Sequence, residues 1–504
     1  MIKLKAQTGS PKSASVDMIA CIVFEDAAIF GRQKRELAKL LKDVSAIEHA
    51  GFEGKNKESL VLFPKGLRSK KFLLVGGGRV EDLTAEKLRR VSATTANLAE
   101  ANKARTLAIA EPDGAAIAKA ALISGEDDWS TVFLSLYEGA FLGSYRYDKY
   151  FTGSNKKKQH LREFSILHPN KKQLKTSTAM SKHAAKVCEA TCFARDLENG
   201  PGNEIFPETL AQHALDTGEK HGFSVSVLDE AEIQDLKMGG LLGVAQGSNK
   251  PPRFIIMEYA PNAENVPTVV LVGKGVTFDA GGISIKPAAN MAEMKMDMSG
   301  AAAVIGTLKA VASLKLPVKL IGLVPATENL LGGSALKPGD VLTHLNGKTS
   351  EVDNTDAEGR LILADALSYA DRYNPDIIID LATLTGACVV ALGHHATGMM
   401  GNDQPTMDKL LASGDRTYER VWQLPLFKEY ESQIKSDIAD VKNVGGRWAG
   451  AITAALFLKH FVGDRKWVHL DIAGTAIMEE ASEYVPKGGS GVGVRLLTDF
   501  LARL

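Results

Sequence analysis

The sequence has few cysteines and no long apolar run. Four of its 504 residues are cysteine, too few for the disulfide framework of a small secreted protein. It contains no stretch of about 18 apolar residues, which a membrane-spanning helix needs. The opening residues, Met1 to Gln7, lack the apolar core of a secretory signal. Together these absences predict a cytoplasmic protein that does not enter a membrane.

An excess of charge of either sign is also missing. Lysine plus arginine and aspartate plus glutamate number 60 each, so no global field attracts nucleic acid or a membrane surface. A basic run at Lys156-Lys157-Lys158 is the main local exception. Such runs are usually solvated faces. Nucleic-acid binding by the amino-terminal part therefore stays only as an alternative.

Several standard catalytic motifs are absent as well. The chain has no G-x-x-x-x-G-K-[ST] phosphate loop, no H-E-x-x-H zinc helix and no G-x-S-x-G nucleophile elbow. The glycines at Gly76-Gly77-Gly78 and Gly273-Lys274-Gly275 do not complete a dinucleotide fingerprint. These absences argue against nucleotide-driven and serine-hydrolase chemistry.

What is present is an alternation of short apolar strands with helical segments, which predicts an α/β protein. At 504 residues the chain is too long for one core. We predict a smaller amino-terminal α/β domain over 1–172, with a linker at about 150–176, and a larger carboxyl-terminal domain over 173–504. The near-continuous apolar strands of the second part predict a mixed, largely parallel sheet flanked by helices.

Acidic side chains follow these strands in three separate segments. Asp279 lies in a glycine-rich passage beyond an apolar strand, and Asp297 lies among methionines before a helix of small residues. Asp356, Glu358 and Arg360 alternate with small residues, and in an extended segment this spacing would place all three on one side. Functional groups collect beyond the carboxyl ends of parallel strands, so the segments are candidates for one site.

Four carboxylates in one place repel each other strongly unless cations balance them. Two divalent cations would do so, and oxygen ligands suit magnesium, manganese or zinc. Lys274 and Lys286 lie beside glycine or proline in the same region. A lysine could be a ligand only after losing its proton. From the residues alone, a two-metal site, such as that of a phosphoesterase, and a mere set of solvated carboxylates both remain open.

The same segments resemble those of the leucyl aminopeptidase (cytosol aminopeptidase) family, bacterial type. The run Asn354-Thr355-Asp356-Ala357-Glu358-Gly359-Arg360-Leu361 is identical to the family's signature octapeptide, and the stretch from Val272 to Pro287 is similar to its other active-site segment. The segments at 325–329, 443–448 and 470–475 are similar too. The resemblance covers about 190–504.

The resemblance implies a role for each matching residue. The tighter metal would be held by Lys274, Asp279, Asp297 and Glu358. The exchangeable metal would be held by Asp279, Asp356 and Glu358. Lys286 and Arg360 fall on the two catalytic positions that are not ligands. The pocket for the first side chain of the substrate would be lined by Met294, Thr383, Gly386, Ala473 and Ala476.

The resemblance also implies the reaction. The enzyme would be a metallo-exopeptidase that hydrolyses leucine and other residues from the amino terminus of short peptides, using a hydroxide shared by two Mn²⁺ or Zn²⁺ ions. Lys286 would stabilise the oxyanion, and Arg360 would hold a bicarbonate ion for proton transfer. A homohexamer is the implied assembly. Ala476 stands where the family can carry a larger residue, which leaves the preference for leucine open.

Overall fold

The computed structural model describes residues 1–42, 44–122 and 128–504. The chain divides into two compact units. The first unit comprises Met1–Cys188 and Ala481–Pro486, and the second comprises Glu189–Glu480 and Lys487–Leu504. The domain boundary placed between residues 172 and 173 stays a prediction.

The first unit is built on a sheet that, within the described residues, has six strands in the order β1-β6-β5-β2-β4-β3. All neighbouring pairs are parallel except β3 with β4. The strands are β1 (Lys3–Thr8), β2 (Met18–Phe24), β3 (Ser59–Leu62), β4 (Lys71–Gly78), β5 (Thr106–Ala110) and β6 (Glu163–His168). The helices are α1 (Ala27–Leu41), α2 (Ser45–His49), α3 (Ala85–Ala101), α4 (Gly114–Lys119) and α5 (Ser130–Gly143), with short 3₁₀ turns at Val80–Asp82 and Gly153–Asn155.

The predicted alternation of strands and helices is present in this unit, but the sequence analysis misses β6. Strand β6 lies inside the stretch that the sequence predicted as a linker. Its side chains Phe164 and Ile166 are fully buried. The polar residues on both sides concealed this short apolar run, and only pairing with β1 and β5 makes it a strand.

Helix α6 (Leu174–Asn199) runs from the first unit into the second. Cys188 and Cys192 are four residues apart on it, and both are buried. Burial raises the pKa of Cys192 to about 12, which keeps this thiol protonated and unreactive.

The second unit is built on a larger sheet, with the order β16-β15-β18-β14-β9-β11-β8-β7 among the described strands and β10 paired with β11. The strands of this unit are β7 (Ser224–Leu228), β8 (Arg253–Tyr259), β9 (Thr268–Gly273), β10 (Gly275–Asp279), β11 (Lys319–Asn329), β12 (Val341–Thr343), β13 (Thr349–Glu351), β14 (Ile377–Ala382), β15 (Thr397–Gly401), β16 (Val421–Gln423), β17 (Val441–Lys442), β18 (Trp467–Asp471), β19 (Ile477–Met478) and β20 (Gly488–Gly489). The sheet is mixed, as predicted.

Helices of the second unit pack against this sheet through apolar side chains. They are α7 (Pro207–His221), α8 (Glu230–Asp235), α9 (Gly239–Ala245), α10 (Ser299–Leu314), α11 (Glu358–Ala370), α12 (Gly386–Leu392), α13 (Gln404–Thr417), α14 (Gly450–Lys459) and α15 (Val494–Leu501), with 3₁₀ turns at Met291–Met296, Asp371–Tyr373 and Lys428–Ile434. Helices α10 and α11 contact different core clusters, which contain alternate residues of β9 and β11. They therefore cover opposite faces of the sheet.

The centre of this sheet determines where functional groups can gather. Strands β18, β14, β9 and β11 are parallel neighbours, so their carboxyl ends lie along one edge. Strand β10 pairs with the last part of β11 and extends beyond that edge. None of the helices within the described residues is long and apolar enough to cross a membrane.

Glu198, near the end of α6, is a buried carboxyl group with hydrogen bonding at only one of its two oxygens. Its Oε2 accepts a hydrogen bond from the Gly491 backbone N–H at 2.9 Å, and its Oε1 has no hydrogen-bond partner. Burial raises the pKa of Glu198 to about 8, because the Gly491 N–H and the nearby Arg195 offset only part of the desolvation. The carboxyl group is therefore protonated at neutral pH in the folded protein.

This raised pKa predicts a loss of stability as the pH rises. The unfolded Glu198 has a pKa of about 4.3, so between that value and about 8 the folded state binds more protons, and stability falls with increasing pH. In Glu198→Gln this contribution is removed. Between pH 5 and pH 8 we expect the Tm of this variant to decline less than that of the parent. At pH 8 the Tm of the variant should exceed that of the parent by about 2 °C or more.

Differential scanning calorimetry at both pH values measures this difference. Glu219→Gln, at an exposed carboxylate on α7, is the matched control and should follow the parent. Parallel curves for the parent and Glu198→Gln would contradict the prediction.

Candidate active site

The predicted site residues come from the carboxyl edge of the central parallel strands. Lys274 follows β9, Thr383 follows β14, and Ala473 comes two residues after β18. Asp279 is the last residue of β10. The sheet topology therefore brings together segments that are about 200 residues apart in the sequence.

Two further carboxylates lie where helices begin. Asp297 precedes α10, which starts at Ser299, and Glu358 is the first residue of α11. The partial positive charge of a helix amino terminus favours a carboxylate at this place. Both groups are buried, so this electrostatic support acts where water contributes little.

The extended geometry expected for the segment from Asp356 to Arg360 is wrong. Asp356 lies in a turn, where its N–H donates to Asn354 Oδ1 at 2.9 Å, and the helix has already started at Glu358. Arg360 therefore lies in the first helical turn. Its Nη1 donates to the Asn443 carbonyl at 2.5 Å. A helical spacing of two residues separates side chains by about 200°, so Arg360 does not share a face with Glu358.

Lys274 connects the predicted ligands on the buried side of the site. Its Nζ lies 2.7 Å from Asp297 Oδ2 and 2.8 Å from Glu358 Oε1, and it donates to the Thr383 carbonyl at 3.0 Å. Gly359 makes room for it, because a Cβ at that position would lie 2.5 Å from Lys274 Cε. A glycine in the first turn of α11 thus allows the lysine to reach both carboxylates.

Lys286 occupies the more open side. Its Nζ lies 2.9 Å from Asp279 Oδ2 and 2.5 Å from Asp356 Oδ1. The side chains of Lys286 and Asp356 keep exposures of 21% and 31%, whereas that of Asp279 keeps 3%. This side of the site is therefore the one that solvent, and a substrate, can reach.

Three of the carboxylates form a compact cluster. Asp279, Asp356 and Glu358 each offer an oxygen, and these oxygens lie within 4.8 Å of one another. Glu358 is 1% exposed, and its Oε2 accepts no hydrogen bond from any described residue. A buried carboxylate oxygen without a donor is costly, and hard cations prefer oxygen ligands. The donor set fits a divalent cation.

The burial of these carboxylates changes their acidity. Burial raises the pKa of Glu358 to about 8, and the negative charge of Asp279 adds to the effect of burial. Burial likewise raises the pKa of Asp297 to about 6, although Lys274 opposes the shift. The pKa of Asp356 is also raised, mainly by burial. A group of acids this close together favours a bound positive charge.

The pKa values of the cationic side chains are shifted in opposite directions. Burial alone would lower the pKa of Lys274 and of Lys286, but the surrounding carboxylates outweigh it and raise both values. Burial lowers the pKa of Arg360 to about 10, against the attraction of Glu358 and Asp471. Arg360 still carries its charge at neutral pH, and its buried Nε has no hydrogen-bond partner.

The five residues predicted for a side-chain pocket differ in exposure. Met294, Thr383 and Ala473 are partly exposed, and Gly386 is exposed. Ala476 has no exposed surface and belongs to the main core cluster. Thr383 also donates from Oγ1 to Asp297 Oδ1 at 2.7 Å, which links the predicted pocket to the acidic cluster.

Sequence reasoning assigned no role to Asn329, Thr355 or Asn443, although each contacts the site. Asn329 Nδ2 donates to Asp279 Oδ1 at 2.9 Å, and Thr355 Oγ1 donates to the Gly281 carbonyl at 2.7 Å. Asn443 provides the carbonyl that Arg360 contacts. All three lie in segments singled out by the resemblance, and that resemblance was the available signal.

Family models match most of the chain. Residues 192–498 match the catalytic domain of the cytosol aminopeptidase family. Residues 27–154 match the N-terminal domain of the same family.

Full-length relatives and solved structures agree with these matches. The probable cytosol aminopeptidase of Geobacter sp. (strain M21) is 45% identical, with 96% of each chain covered, and that of Roseiflexus castenholzii is 42% identical, with 99% of each covered. The structure of a tomato leucine aminopeptidase mutant is 32% identical with a TM-score of 0.86, over 100% of this chain and 97% of that one. The bottromycin maturation enzyme BotP in complex with Mn is 34% identical with a TM-score of 0.83, over 97% and 99%. The chain therefore belongs to the cytosol aminopeptidase family and is an aminopeptidase hydrolase.

Proposed function

We propose that this aminopeptidase depends on two divalent metal ions, which it holds at the cluster around Asp279 and Glu358, and that it releases leucine and other residues from the amino terminus of short peptides. The observation that carries the proposal is the convergence of Asp279, Asp356 and Glu358, whose oxygens lie within 4.8 Å of one another. Family membership provides the reaction class.

The proposed ligand sets follow the contacts of Lys274. This side chain lies against Asp297 and Glu358, so these residues together with Asp279 would hold the tighter ion. Asp279, Asp356 and Glu358 would hold the second ion on the more exposed side. Lys274 would bind as a neutral amine, because an ammonium group has no lone pair.

Manganese or zinc is the proposed metal. Carboxylate oxygens with one amine nitrogen and no thiolate suit these borderline and harder ions. A relative of similar fold, BotP, has been solved in complex with Mn. When bound, such ions supply Lewis-acid activation of water and of the substrate carbonyl.

Lys286 and Arg360 are the proposed catalytic residues of the chain itself. Lys286 reaches from the partly exposed side to Asp279 and Asp356, so its ammonium group can stabilise the negative oxygen that forms at the scissile carbonyl. Arg360 has a buried Nε without a partner and can hold a small anion beside the cluster. The proposed anion is bicarbonate, which supplies a proton acceptor when bound.

The pocket for the first side chain of the substrate is proposed at Met294, Thr383, Gly386, Ala473 and Ala476. The exposure of the first four residues supports this assignment. Ala476 is buried in the core, and its proposed role is to limit the depth of the pocket. Its small side chain supports acceptance of residues besides leucine.

A two-metal phosphoesterase is the alternative that the carboxylates alone left open. The match of both family models to cytosol aminopeptidase domains favours peptide bonds over phosphoesters. The basic run at 156–158 is exposed, and no further feature of the described residues supports a site for nucleic acid.

We also propose a cytoplasmic homohexamer. Several large apolar side chains of the second unit are exposed, among them Val390 at 90%, Trp448 at 73% and Trp422 at 60%. In the proposed hexamer, contacts between subunits would cover these side chains. Multi-angle light scattering should give about six times the chain mass of 54.0 kDa; a monomer mass would refute the hexamer.

The reaction itself is tested with chromogenic substrates. We expect the protein, after chelation and dialysis, to hydrolyse leucine p-nitroanilide only when Mn²⁺ or Zn²⁺ is restored, and to leave p-nitrophenyl phosphate intact. Plasma emission analysis of the same samples should find two ions per chain in the active state. Full peptidase activity in metal-free protein would overturn the metal dependence, and hydrolysis of the phosphate alone would overturn the substrate class.

Variants separate residues that hold metal from residues that act on substrate. Asp356→Ala should lose both activity and one equivalent of metal, because it removes a cluster oxygen. Lys286→Ala should lose activity by about a hundred- to a thousandfold yet keep its metal. Asp353→Ala, an exposed carboxylate three residues before Asp356, is the control. Retention of activity and metal by Asp356→Ala would show that the ligand assignment is wrong.

A further inference from the structure

Asn329 donates a side-chain hydrogen bond to Asp279, one of the carboxylates of the cluster. It is the last residue of β11, is 4% exposed, and its Nδ2 donates to Asp279 Oδ1 at 2.9 Å and to the Thr355 carbonyl at 3.1 Å. Both partners can only accept hydrogen bonds, so the orientation of the amide follows from its contacts. The Asn329 carbonyl also accepts from the Ala280 N–H at 2.8 Å. One residue thus joins three segments of the site.

The two oxygens of Asp279 face different kinds of group. Oδ1 accepts from Asn329 and from the Gly281 N–H at 2.9 Å, both of which are neutral donors. Oδ2 faces the ammonium group of Lys286 at 2.9 Å. Two neutral donors on one oxygen fix the plane of the carboxylate without cancelling its charge. An arginine or lysine in place of Asn329 would instead compete with a cation.

The surroundings prevent the amide from moving away. Gly282 has a φ of 63°, and a Cβ there would lie 2.9 Å from Asn329 Oδ1. On the other side, Thr355 Oγ1 donates to the Gly281 carbonyl at 2.7 Å and accepts from the Ser284 N–H at 2.8 Å. The loop that follows Asp279 is therefore fastened to the segment that carries Asp356.

We propose that Asn329 is a positioning residue that orients Asp279 for binding a divalent cation. The inference rests on the proposed metal dependence of the site. Hydrogen-bond partners behind a metal ligand hold it in the productive rotamer, and their loss typically weakens metal binding by about 10- to 100-fold. Among the carboxylates of the cluster, the Asn329 side chain donates to Asp279, so we expect its loss to affect binding of the cation first.

The test uses two substitutions that remove the donor. Asn329→Ala removes the whole amide, and Asn329→Ser keeps a polar side chain that is too short to reach Asp279. Thr327→Val is the matched control, since Thr327 is buried on the same strand and its hydroxyl donates to the neighbouring Glu328 carbonyl at 3.1 Å. The chelated full-length proteins are titrated with Mn²⁺, and free Mn²⁺ is followed by electron paramagnetic resonance.

We expect the Kd for Mn²⁺ to rise by about 10- to 100-fold in both Asn329 variants and by less than threefold in Thr327→Val. The Tm of the metal-free Asn329 variants should stay close to that of Thr327→Val. At saturating Mn²⁺ the KM for leucine p-nitroanilide should match the parent, because the defect lies in cation binding.

Other outcomes overturn the inference in distinguishable ways. A Kd within threefold of the parent in both Asn329 variants would mean that Asn329 does not position Asp279 for the cation. Failure of both metal-free variants to fold would make Asn329 a structural residue. If the parent itself binds no Mn²⁺, the proposed metal dependence fails, and the inference fails with it.

Discussion

The structure depends on compensation of buried negative charge at one edge of a sheet. Asp279, Asp297 and Glu358 are almost completely buried, and a carboxylate in such surroundings is stable only when opposite charge or donors surround it. Lys274 and Lys286 supply part of that compensation from two sides. The amino termini of α10 and α11 add a partial positive charge beside Asp297 and Glu358. The arrangement remains rich in oxygen acceptors, which is the property that a cation-binding centre requires.

The fold explains how such distant residues come together. Parallel strands β18, β14, β9 and β11 present their carboxyl ends along one line, and Lys274, Thr383 and Ala473 lie just beyond three of these ends. Strand β10 extends this edge and places Asp279 beyond the main sheet. Strands and two helix starts therefore position Lys274, Asp279 and Glu358, whereas Lys286 and Asp356 lie in the segments between elements.

Much of the fold and of the candidate site could be predicted from the sequence. The features that could not be predicted depend on contacts between distant segments. Near-continuous apolar strands predicted the largely parallel sheet, and acidic residues beyond strands predicted which side chains would gather. The start of α11 at Glu358 was missed because spacing alone does not separate an extended segment from a first helical turn. Contacts such as Asn329 with Asp279, which are 50 residues apart, depend on strand pairing, which no local pattern reveals. The same limit applies to β6, whose strand character comes from its neighbours.

Gly359 illustrates how the lack of a side chain can shape the candidate site. Glycine has a lower helix propensity than alanine, and the backbone of Gly359 needs no unusual torsion, since its φ is not positive. The space that a methyl group would fill is occupied instead by the aliphatic stem of Lys274. Glycine at this position lowers the intrinsic stability of α11, but it leaves space for the Lys274 side chain, which follows β9, to lie against the helix. Any lengthening of the side chain at this point would close that passage, even though the helix itself would become more stable.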